Sequence, residues 1–94
     1  MVNKILEELK YKLNEIASGS NDSYISIGLS TQFISMNNIV KADEILISEN
    51  EININSNNFE FHFIYGKDIN IDYGVDEYCI NYNDMNLYVC LLGA

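Results

Sequence analysis

Ninety-four residues with a net charge of −9 predict one domain, residues 1–94, with a single modest core. An acid excess of this size repels polyanions, so direct binding to nucleic acid or to an anionic membrane is excluded. Nearly half of the residues are apolar and 12% are aromatic, which excludes a chain too polar to fold.

The charge is unevenly placed. Residues 1–18 balance Lys4, Lys10 and Lys12 against Glu7, Glu8 and Glu15, whereas the remainder sets Lys41 and Lys67 against eleven acids. Asn and Ile each occur fourteen times, and Arg, Pro and Trp do not occur. AT-rich codons account for Asn, Ile and Tyr, yet the same bias would enrich Lys, of which there are only five. Codon bias therefore leaves the acidity unexplained. The N-terminus interleaves charges and lacks the apolar region of a secretory signal. The longest apolar run, Leu87 to Leu92, is far short of a bilayer span. A cytoplasmic protein with Cys79 and Cys90 reduced is expected.

In chain order, Val2, Ile5, Leu6, Leu9, Leu13, Ile16 and Ala17 recur at helical spacing and predict an amphipathic helix over 2–18. Glu8 and Lys12 form an i,i+4 pair on its wet side. Tyr11 lies nearly opposite the apolar stripe, and Gly19 is placed for a left-handed cap. From Tyr24 the period switches to two, with Ile25, Ile27 and Leu29 facing inward. Residues 30–44 stay open: Gln32 to Met36 reads as a second strand, and Asn37 to Glu44 as a helical turn or a loop.

The rest reads as a meander. Ile47 pairs with Ile52 and Ile45 with Ile54 around Glu49-Asn50. Ile54 pairs with Phe59 and Ile52 with Phe61 around Asn55 to Asn58. A three-residue loop, Gly66-Lys67-Asp68, pairs Tyr65 with Ile69, Phe63 with Ile71 and Phe61 with Tyr73. A last hairpin pairs Tyr82 with Leu87, Ile80 with Val89 and Tyr78 with Leu91 around Asp84-Met85. The run Phe59 to Tyr65 alternates aromatics at every second position and is expected to be the central strand. The fold class is α+β: one N-terminal amphipathic helix packed on a curled antiparallel sheet spanning 24–92, a meander of about five to seven strands.

Few residues carry chemistry. Asp68, Asn70, Asp72 and Gly74 resemble the opening of a calcium loop, but Tyr73 stands at the sixth position and Cys79 at the twelfth, where Gly and Glu are required. His62 is expected opposite Asp72 in a surface cross-strand pair. Cys79 and Cys90 are expected to face each other, two ligands short of a structural zinc site. With no Gly-rich phosphate loop and no basic patch, neither catalysis nor a metal or cofactor is expected.

What remains is an acidic surface carrying Asp43, Glu44, Glu49, Glu51, Glu60, Asp68, Asp72, Asp76, Glu77 and Asp84, with Tyr11 as the helix's contact residue. Carboxylates two apart on a strand stand about 7 Å from each other and can imitate a phosphate backbone. In general character (small, acidic, free of arginine) the whole chain resembles phage-encoded inhibitors of host defence, including anti-CRISPR proteins that mimic nucleic acid. The resemblance implies a non-catalytic binding protein that blocks a basic surface of a nucleic-acid-handling protein partner. The alternative is a structural module that forms a homodimer through an exposed sheet edge, and a small hydrolase built on His62 stands third.

Overall fold

The N-terminal stripe forms helix α1, Lys4–Ala17, in the computed structural model, which describes residues 4–19, 24–56 and 60–91. Leu6, Leu9 and Leu13 are buried, and Ile5 and Ile16 pack partly against the core, as a period of 3.6 requires. Ala17 ends the helix exposed, outside the stripe. Gly19 does not take the left-handed cap, since no glycine has a positive φ among the described residues. The helix closes instead by tightening. Ser18 N–H donates to the Asn14 carbonyl at 3.0 Å, and Gly19 N–H to the Ile16 carbonyl at 3.1 Å.

Eight strands follow: β1 Tyr24–Ser30, β2 Ser35–Lys41, β3 Ile45–Ile47, β4 Glu51–Asn55, β5 Glu60–Ile64, β6 Asn70–Tyr73, β7 Glu77–Tyr82 and β8 Met85–Leu91. A 3₁₀ turn, Ala42–Glu44, joins β2 to β3. The class is α+β with antiparallel pairing throughout, but the strands form two sheets where one was expected. Their orders are β2-β1-β8-β7-β6 and β3-β4-β5. Inner residues of both sheets (Ile25, Ile27, Ile52, Ile54, Ile80 and Leu87 among them) join the helix leucines in one buried cluster. Helix α1 packs most closely on the 3₁₀ turn and β3. It is also tied to β7, where the buried Tyr78 donates its hydroxyl to Glu8 at 3.2 Å. Lys12 pairs with Glu8, lies 5.4 Å from the Tyr78 ring centre and donates to the Val75 carbonyl.

Several expectations are corrected. The aromatic run is not central: β5 is an edge of the smaller sheet, with Phe63 and Tyr65 buried and Phe61 only partly so. The centre of the larger sheet is β8, the strand that pairs β1 with β7. Phe61 lies opposite Ile54 and Phe63 opposite Ile52, two residues from the expected register. The last hairpin slips by the same amount, pairing Tyr82 with Met85, Ile80 with Leu87 and Tyr78 with Val89. A two-residue slip leaves every side chain on its own face, so alternation cannot choose between the registers. The turn decides. Asn83 adopts φ 54°, a left-handed conformation that Asn tolerates, and sets the two-residue turn at Asn83-Asp84 in place of Asp84-Met85.

The slip separates the cysteines: Cys79 opposes Tyr88, and Cys90 opposes Glu77. They are diagonal neighbours, a spacing of about 7–8 Å that a disulfide does not span without backbone movement. Strands β5 and β6 do not pair, because the loop at Gly66-Lys67-Asp68 carries the chain from one sheet to the other. Between residues 30 and 44 the strand is Ser35–Lys41 and not Gln32 to Met36. There the Thr31 side chain accepts from the N–H groups of Phe33 and Ile34 and holds the preceding turn. Val2, Phe59, Leu92 and parts of the loops at 20–23 and 57–58 lie outside the described residues.

Candidate functional site

Strand alternation distributes the expected acidic residues unevenly. On the outer face of the larger sheet, Asp72 of β6 lies across from Cys79 of β7, which lies across from Tyr88 of β8, and Glu77 lies across from Cys90. Together with Tyr73 they line an open depression of about 500 Å³. Two carboxylates and three tyrosines, Tyr73, Tyr78 and Tyr88, therefore line one concavity, and no lysine lines it. The Tyr73 ring stacks on Tyr78 at 6.3 Å. Burial raises the Cys79 thiol above its usual pKa, against the lowering effect of a hydrogen bond with Tyr88. The thiol donates to the Asn81 side-chain oxygen at 3.3 Å. A protonated thiol is a poor nucleophile, so it contributes shape more than reactivity.

A second cluster stands on the outer face of the smaller sheet. His62 of β5 lies across from Asn53, not from Asp72. Its Nδ1 is 2.8 Å from Glu51 Oε2, and its Nε2 is 2.8 Å from Glu60 Oε2. The hydrogen bond to Glu60, then that to Glu51, raises the His62 pKa above its ordinary value. As an imidazolium the ring donates both protons, so the group is a −2 pair of carboxylates holding one positive charge. Both ring nitrogens are engaged by carboxylates and neither by a hydroxyl or thiol, the partner a nucleophile would require.

The other predicted acids are not gathered into a cluster. Asp43 and Glu44 lie in the 3₁₀ turn, where the Glu44 carboxylate accepts from the Lys41 N–H at 2.8 Å. Glu49 stands in the exposed β3–β4 turn, Asp68 beside Gly66, and Asp84 in the β7–β8 turn. Asp76, in the β6–β7 turn, accepts the Leu91 N–H on its backbone carbonyl. Tyr11 is exposed on α1, and a hydrogen bond with Glu15 raises its phenol pKa.

One surface was missed. The β1–β2 hairpin, residues 24–41, contains no acid, and it exposes Tyr24, Phe33, Ile34 and Ile39. Strand β8 contains none either. The signal was the gap between Asp22 and Asp43, which a sum over the whole chain conceals. Among the described residues no helix is long and apolar enough to cross a membrane, and no group of three or more His, Cys, Asp or Glu is arranged to hold a metal ion. Comparison with protein-family models, with characterised proteins and with solved structures finds no match to this chain.

Proposed function

We propose that the chain is a non-catalytic binding protein whose acidic surface occludes a basic surface of a nucleic-acid-handling protein, as an inhibitor that imitates nucleic acid does. The observation that carries this reading is the depression bounded by Asp72, Glu77, Tyr73 and Tyr88. A lysine or arginine side chain entering it meets carboxylates for its charge and aromatic faces for its stem and head. Asp76, next to Glu77 in the β6–β7 turn, adds a further negative charge, and the net charge of −9 speeds the approach of a basic partner. The cytoplasm, where such partners work, is the proposed location.

Capture from a cell lysate on the immobilised chain tests the reading. A basic, nucleic-acid-handling protein should be retained at low ionic strength and released as salt screens the field, and its nucleic acid should compete for it. Retention only of proteins that nucleic acid does not displace would overturn the proposal.

A further inference from the structure

Strand β2 ends the larger sheet, and among the described residues no strand pairs with its outer side. In the β1–β2 hairpin, Thr31 N–H donates to the Ile34 carbonyl. Bonded pairs alternate from there, so Leu29–Met36, Ile27–Asn38 and Ile25–Val40 exchange hydrogen bonds. The backbone groups of Ser35, Asn37, Ile39 and Lys41 consequently point away from β1, along a seven-residue edge without proline. Natural sheets guard such an edge with charge, a bulge or a cover. The other three edges are guarded or short: β6 carries Asp72, β5 carries Glu60, and β3 has three residues and follows Glu44. The single charge of β2 is Lys41, at its end.

We infer that β2 is a self-association strand, pairing antiparallel with β2 of a second copy to make one continuous ten-stranded sheet. Charge selects this occupant. Two chains of net charge −9 repel at long range, and β2, β1 and β8, which contain no acid, form the side on which they can approach. The sequence of β2 is compatible with its own reverse. A twofold axis at Asn38 sets Asn37 against Ile39 and Ser35 against Lys41 of the other copy, with no like charges opposed and about six backbone hydrogen bonds formed, since each Lys41 N–H already donates to Glu44. The two Lys41 residues are then about 20 Å apart. Ile39, 62% exposed, and Phe33, 85% exposed, become partly covered, Phe33 beside the other copy's 3₁₀ turn. Symmetric, self-complementary contacts of this kind close at two subunits.

Sedimentation of the full chain between about 5 µM and 1 mM tests this, a range chosen because a small interface binds weakly. The mass should rise toward twice the monomer, and more readily at high salt, which relieves the repulsion. That salt response is opposite to the one expected for binding a basic partner, so failure here leaves the partner reading intact and the converse also holds. Asn37→Pro removes an outward N–H without breaking a bond to β1, and should abolish association. Ile39→Glu, whose side chain is exposed and should not disturb folding, is expected to weaken association at least tenfold. The control Ile64→Glu, at a position 61% exposed on the other sheet, should associate like the parent. A parent that stays monomeric to 1 mM overturns the inference, as does a folded Ile39→Glu chain that associates like the parent.

Discussion

At the scale of single residues, His62 has the most determined environment on the surface. It is the only histidine, and Glu60 and Glu51 hold both of its nitrogens. Because its folded pKa is raised, its contribution to stability is fully present below the unfolded value of about 6.5 and is lost as pH rises through the folded value. The urea midpoint of the parent should therefore fall between about pH 6 and pH 8.5, and His62→Gln should flatten that slope. A parent with the same midpoint at both ends would show that the two glutamates do not hold the imidazolium. The raised pKa was legible in outline, since a carboxylate was expected beside His62. The identity of that carboxylate was not, because Asp72 was expected across a β5–β6 pairing that does not form, which leaves His62 to Glu60 on its own strand and Glu51 on β4.

Among the elements, β5 shows why alternation identifies faces better than neighbours. Phe61 and Phe63 share the inner face, yet Phe63 is 2% exposed and Phe61 is only partly buried. Phe63→Ala should destabilise by about 3–5 kcal/mol, and Phe61→Ala by clearly less. Urea denaturation of both variants checks this, and equal losses would place the two rings equally deep. Helix α1, β1 and the β3–β4 hairpin were legible because each is a local pattern with one apolar face. The division into two sheets was not. Ile69 and Ile71 show only that one side of their segment is buried, not whether Phe63 of β5 or Ile80 of β7 covers it.

On the scale of the whole molecule, the arrangement of charge matters more than its total. Acids line β4, β5, β6, β7 and the turns, while β2, β1 and β8 contain none. The chain thus has a neutral side with an open edge and an acidic side with a tyrosine-walled depression, and the two suit different partners. Composition alone disclosed the acidity. The depression required Asp72, Glu77 and Tyr88 to meet across three strands, a juxtaposition of residues up to 16 positions apart that no local pattern encodes.

The central claim is that these carboxylates do the binding, and the association rate of a captured basic partner tests it most directly. Each exposed ion pair contributes only about 0.2–1 kcal/mol, so several must act together. A chain carrying Asp72→Asn, Asp76→Asn, Glu77→Gln and Glu51→Gln loses four negative charges at exposed or half-buried positions and should stay folded. Its association rate should fall roughly tenfold or more at low ionic strength, and the gap to the parent should close as salt is added. An unchanged rate for this folded variant would contradict the account.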